Sequence, residues 1–210
     1  MKPHDKLLKV AALRHLTPIG GVQKGRSRVW LVDCAWYVAV VEFQPSSWSK
    51  GAYLNVGAHF LWRSVSDISF DFGYRKEGHA EFIDEMQFAQ AADVLSKRAA
   101  EEVGILRAKI VSPRHIHSMT PKNTGEAWID RYHRGVSHAL AGQAAEAEFI
   151  FQSLLKPTQD VSESDADEYH RLLTLVSDIP AFEIEVVKLI ERRRAAMKLP
   201  ALTEPPWPAS

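Results

Sequence analysis

The sequence predicts an α+β protein: a four-stranded antiparallel sheet with helices on one face, followed by an all-helical C-terminal extension. Three observations carry this. Thirteen of the twenty aromatic residues fall between Trp30 and Phe88. Within that stretch apolar and polar residues alternate with the period of two that half-buried strands show, whereas outside it apolar residues recur at three and four, as on a helix face. The strand-like runs are also joined by loops too short for crossover helices, which demands antiparallel pairing.

Leu7, Leu8, Ala11, Ala12 and His15 repeat at helical spacing over 5–16, and Thr17-Pro18-Ile19-Gly20-Gly21 ends that helix with three breakers. A polar turn, Lys24–Arg28, leads into strands expected at 28–33, 36–44, 52–62 and 68–75. Phe88, Ala91, Ala92, Leu95, Ala99, Val103 and Leu106 then mark a long helix over 86–109. Pro113, Pro121, Asn123 and Gly125 make 112–125 a linker. It separates an α+β domain over 1–111 from helices at 126–141, 143–156, 165–177 and 180–198. Ser162 to Asp167 offers capping residues, and Pro180 suits a first helical turn. Pro200, Pro205, Pro206 and Pro208 make 199–210 an extended tail.

The 210 residues carry 26 basic and 26 acidic side chains, which removes any global pull towards nucleic acid or an anionic membrane. The first 63 residues are locally basic, with nine Lys or Arg against three acids, so contact with nucleic acid is confined to Lys24, Arg26 and Arg28. The single cysteine, Cys34, excludes an intramolecular disulfide and a cysteine-based zinc cage, and its apolar neighbours read it as a small buried hydrophobe. The first residues lack the pattern of a signal peptide, and no apolar run approaches the ~20 residues of a membrane span, so a cytoplasmic protein without membrane contact is expected.

Alternation sorts the strand residues onto two faces. Tyr37, Ala39, Val41 and Phe43, with Leu54, Val56, Ala58 and Phe60, form an apolar face, continued by Ile68, Phe70, Phe72 and Tyr74. A slip of one residue would turn every side chain over, so the apolar sets fix the register. Phe43 pairs with Leu54, Val41 with Val56, Phe60 with Phe70 and Ala58 with Phe72. Glu42 then faces Asn55, Gln44 faces Tyr53, Asn55 faces Arg75, and His59 lies opposite Asp71. A polar second face gathers these residues with Ser69. His59 beside Asp71 or Glu42 has the composition of a general base oriented by a carboxylate, which makes these three the catalytic candidates of a hydrolase. No nucleophile motif accompanies them: Ser69 and Ser46 sit in no strand–turn–helix elbow.

The run Trp36 to Gly57, centred on Val40-Val41-Glu42-Phe43-Gln44-Pro45-Ser46-Ser47-Trp48-Ser49-Lys50-Gly51-Ala52-Tyr53-Leu54-Asn55-Val56-Gly57, resembles the central hairpin of an uncharacterised bacterial domain-of-unknown-function family. Phe70-Asp71-Phe72-Gly73-Tyr74-Arg75 is similar to that family's next segment, so the likeness spans about residues 1–110. It implies an α+β domain of bacterial source and brings no established activity. Gly135, Gly142, Ala147 and Phe151 fall at the spacing of a tetratricopeptide helix pair over 127–157. Arg131 and His138 replace that pattern's Trp and Tyr, and no second copy follows, so an isolated helical hairpin is expected.

His115-Ile116-His117 would aim two imidazoles to one side if extended, but no third ligand has metal-site spacing, and no metal or cofactor is expected. Arg192-Arg193-Arg194 complements a helix C-terminus. Trp48, in the seven-residue loop Pro45–Gly51, has the residue type of an interface anchor. With Gln44, Lys50, Tyr53, Asn55 and Arg75 it completes the candidate binding set. The expected function is a non-enzymatic module binding a protein partner, in a setting such as bacterial competition or defence. The alternative is the hydrolase.

Overall fold

The computed structural model describes residues 2–46, 49–63, 67–119, 127–156 and 162–207. The chain forms two compact units. One comprises residues 1–60 and 67–109, the other residues 61–66 and 110–210.

The first unit is α+β. Helix α1 (Pro3–Leu16) precedes strands β1 (Gly21–Gln23), β2 (Val29–Asp33), β3 (Tyr37–Gln44), β4 (Gly51–Phe60) and β5 (Phe72–Glu81), and α2 (Glu85–Lys109) closes the unit. Among the described residues the sheet has five strands in sequential order, every neighbour antiparallel. The expected count of four missed β1. It is three residues long, and Gly20-Gly21 reads as punctuation. In fact Gly20 takes φ +86 to end the 3₁₀ turn Thr17–Ile19 that follows α1, while Gly21 pairs with Val32.

The central register follows the apolar pattern. Phe43 faces Leu54, Val41 faces Val56, Ala58 faces Phe72 and Asn55 faces Arg75. Trp30, Val32, Ala39, Val41, Phe43, Leu54, Val56 and Phe60 are all buried on the face that the helices cover. Helix α2 presents Phe88, Ala92, Leu95, Ala99, Val103 and Leu106 to this core, packs on β3, β4 and β5, and has α1 beside it. Lys76 of β5 points to the same side and pairs with Glu102 of α2 at 2.6 Å.

The last strand departs from expectation at both ends. Residues 68–71 are irregular, and Phe70 is not opposite Phe60 on the apolar face. A Cβ on Gly57 would lie 2.7 Å from Phe70 Cδ1, so the ring sits over Gly57 on the second face, and it is 40% exposed. At the other end β5 runs on to Glu81. The pairing shifts by two residues between Asn55–Arg75 and Tyr53–His79, so Lys76, Glu77 and Gly78 oppose Leu54 alone. Gly78, at φ +95, accommodates this bulge. Gly57 faces Gly73 across the β4–β5 ladder, and a Cβ on Gly73 would fall 2.3 Å from Gly57 Cα, so the strands meet there only because both side chains are absent.

The second unit is helical. A 3₁₀ turn (Pro113–His115) leads into α3 (Ile116–Met119), followed by α4 (Trp128–Leu140), α5 (Ala144–Leu154), α6 (Glu163–Leu175) and α7 (Ile179–Ala196). The first part of the expected linker is therefore folded, while residues 120–126 lie outside the described part. Helices α4 and α5 form the expected hairpin. Gly142 turns the chain at φ +76, and a Cβ on Gly135 would meet Ile150 and Phe151 at 3.1 and 3.2 Å, so the glycine lets the helices approach. Ser162 and Asp178 cap α6 and α7 through the N–H groups of Asp165 and Ala181. The proline-rich tail is not free. Pro206 and Trp207 are buried, and Arg194 donates from Nε and Nη2 to the Pro200 carbonyl. Among the described residues, no helix is long and apolar enough to cross a membrane.

Candidate functional site

The antiparallel register of β3, β4 and β5 lays two rungs of polar side chains across the second face. One rung is Glu42, Asn55 and Arg75. The next is Gln44, Tyr53 and His79. Each rung lies where the pleat turns outward, and the residues interlock. Asn55 Nδ2 donates to Glu42 Oε2 at 2.8 Å and to Gln44 Oε1 at 2.9 Å. Arg75 donates from Nη2 to Gln44 Oε1 and, at 3.5 Å, from Nε to Asn55 Oδ1. Its guanidinium carbon lies 4.6 Å from the Tyr53 ring centroid, a cation–π contact. His79 also packs against Tyr53, with ring centroids 4.5 Å apart. Glu42, Gln44, Tyr53 and Asn55 are half-buried, and Arg75 is exposed. His79 was missed by sequence reasoning, since the bulge that brings it opposite Tyr53 interrupts the alternation.

The other expected binding residues are not part of these rungs. Lys50 is exposed beside Gly51 at the β3–β4 turn. Trp48 lies outside the described residues. The basic turn is broken up: Lys24 and Arg26 are exposed, but Arg28 is locked inward. It donates from Nε to Asp5 Oδ1 at 2.8 Å and from Nη1 to the Gly51 carbonyl at 2.9 Å. A three-cation patch for nucleic acid is therefore not assembled there.

His59 and Asp71 do meet. Nδ1 of His59 lies 3.2 Å from Asp71 Oδ2, and their side chains are 0% and 1% exposed. Ser69 joins them, its Oγ donating to Asp71 Oδ1 at 2.6 Å and lying 3.1 Å from His59 Nδ1. Three residue types of a hydrolytic triad are thus within reach of one another, but the wiring is wrong. In a relay the carboxylate holds one imidazole nitrogen and the nucleophile the other. Here both partners meet Nδ1, and the serine proton is directed at the carboxylate. Asp71 Oδ2 also accepts the Phe60 backbone N–H at 2.8 Å, which ties the irregular segment 68–71 to the end of β4. The cluster replaces ladder hydrogen bonds where the strand pairing stops. Glu42 is not brought to it. Glu42 lies four residues along β3 from Val38, the residue facing His59, or roughly 13 Å at ~3.3 Å per residue.

The remaining predicted sites also resolve structurally. His115 and His117 are in a helical segment, so they do not share a face. His117 instead stacks on His138, ring centroids 4.3 Å apart, and the described residues contain no group of three or more His, Cys, Asp or Glu placed to hold a metal. Cys34 is half-buried rather than enclosed, with Arg107 Nε 3.4 Å from its sulfur. Burial first, and then the Cys34 contact, pushes the neighbouring Tyr37 hydroxyl far above its ordinary value. Comparison with protein-family models, with curated proteins and with solved structures finds no match.

Proposed function

We propose that the chain is a non-enzymatic binding module whose second sheet face docks a protein partner. The observation that carries this reading is the pair of cross-strand rungs. Side chains that bond to one another while staying half-exposed lose little freedom on docking, and Arg and Tyr are the types that anchor interfaces. Arg75, stacked on Tyr53 and oriented by Gln44, suits a partner segment that presents a carboxylate or a row of carbonyls. The hydrolase reading rests on the His59–Asp71 contact, and the burial of this pair, with Asp71 and Ser69 both at Nδ1, argues for a structural role instead. The likeness to a bacterial domain-of-unknown-function family rests on the hairpin residues 36–57 and the segment 70–75. A cytoplasmic setting in competition or defence belongs to this proposal.

The test is affinity capture from a host lysate, quantified by mass spectrometry, with wild type, Arg75→Ala, Tyr53→Ala and Lys24→Ala. A partner retained by wild type and Lys24→Ala, and lost by the two face variants, is the expected result. Equal capture by all four would remove the second face from the function.

A further inference from the structure

The N-terminus of α1 opens into a cavity of about 610 Å3 in the first unit, between the start of the helix and the β3–β4 turn. We propose that this cavity binds a phosphate monoester. Lys2, His4 and Lys50 hold the phosphate at the helix N-terminus, and the organic body lies against Pro45 and Phe82.

Helix α1 is 14 residues long, and Lys2, at its N-cap, supplies no side-chain cap. Pro3 has no N–H, and the Asp5 N–H already meets the Lys2 carbonyl, so the first turn offers the cavity its positive dipole end and one free amide, that of His4. A second, independent feature points to a ligand. The His4 side chain is only 8% exposed and lines the cavity, yet it has no hydrogen-bond partner among the described residues. The nearest acid atom, Asp5 Oδ1, is 3.9 Å from Nε2, beyond hydrogen-bond range. Phe82 and Phe88 hold the ring at centroid distances of 5.5 and 6.3 Å. A ring nitrogen without a hydrogen-bond partner in the protein is available to an oxyanion bound in the cavity.

The charge balance favours a dianion. Lys2 and Lys50 are exposed on the cavity wall and make no ion pair among the described residues. Asp5 is the one acid on the wall, and Arg28 neutralises it. Burial lowers the His4 pKa; Asp5 opposes this, and Arg28, Lys2 and Lys50 add to it. An incoming phosphate cancels the field of those cations, so binding draws a proton onto His4. The volume lies in the range of small-molecule sites, and the apolar walls suit a ligand larger than inorganic phosphate.

The test uses the full chain, with phenyl phosphate, inorganic phosphate and benzoate as probes. The His4 ring signal is followed by NMR and assigned by its loss in His4→Gln. Phenyl phosphate should bind saturably, move the His4 signal and raise its titration midpoint. Inorganic phosphate should bind at the same place more weakly. Lys2→Ala and Lys50→Ala, both at exposed positions that leave folding intact, should each weaken phenyl phosphate about tenfold, as loss of one charge-assisted contact does. Arg75→Ala, on the opposite face, should bind it as wild type does, which separates this test from the partner-docking proposal. A His4 signal unmoved by phenyl phosphate, affinity unchanged in both lysine variants, or benzoate binding as tightly would overturn the proposal.

Discussion

Asp71 shows how one carboxylate can resemble catalytic machinery and serve as a structural joint. It accepts the Phe60 N–H and the Ser69 hydroxyl and lies against His59, with its own side chain and that of His59 buried. An amide in its place would set an NH2 group against at least one of these donors. Buried donors left unsatisfied cost ~1–3 kcal/mol each, so Asp71→Asn should lose about 2–4 kcal/mol. Urea unfolding measures this, and a midpoint like that of wild type would mean the cluster is not holding the strand end. Capture of the partner by the folded fraction of that variant should be unchanged, whereas a hydrolase would lose the carboxylate that orients its base. The His59–Asp71 contact was legible in the sequence because the alternating apolar residues set Ala58 opposite Phe72, which brings the next residues of the two segments together, although the ladder itself ends there. Its chemistry was not, because alternation does not say which imidazole nitrogen a neighbour meets, or whether water reaches it.

At the scale of elements, periodicity revealed what was long and regular. It located both long helices of the first unit, the β3–β4 hairpin and the four helices of the extension within a few residues. It missed β1, which is too short to show a period, and the second half of β5, where the bulge puts three residues opposite one. The helical segment at 113–119 was hidden by Pro113, which reads as a breaker but here starts a 3₁₀ turn capped by Ser112. That segment brings His117 of α3 onto His138 of α4. Burial lowers the His117 pKa most, then the His138 ring; His115 and Arg134 add to this, and only the Arg114 backbone contact opposes it. The unfolded chain therefore binds a proton more readily than the folded one. The stability this provides is complete above pH ~6.5, the unperturbed histidine value, and is lost as pH falls through the depressed folded value. The melting temperature should fall between pH 7 and pH 5, and His117→Gln should flatten that slope. An equally steep slope in the variant would show that other groups govern acid sensitivity.

For the molecule as a whole, the chain leaves the first unit after Lys109, and the grouping of residues 61–66 with the helical unit was not legible in the sequence. Leu61 and Trp62 continue the alternation of β4 without a break, so they read as its last residues. The strand instead stops at Phe60, and Trp62 is a core residue of the helical unit. Its indole Nε1 donates to His133 Nδ1 at 2.9 Å, and its carbonyl accepts from the Tyr132 hydroxyl at 3.1 Å. That hydroxyl also lies 2.6 Å from Glu168 Oε1 of α6. Burial raises the Glu168 pKa, and the Tyr132 hydroxyl, as a donor to Oε1, opposes that rise. A segment from the middle of the β4–β5 connection thus completes the core between α4 and α6. A fully buried Trp cut to Ala costs ~3–5 kcal/mol, and Trp62→Ala should remove about that much from the helical unit. Amide hydrogen exchange would locate the loss. Protection should drop in α4 and α6 and persist in the central pairs of β3 and β4. Loss confined to the sheet would mean that Trp62 belongs, after all, to the strand its sequence imitates.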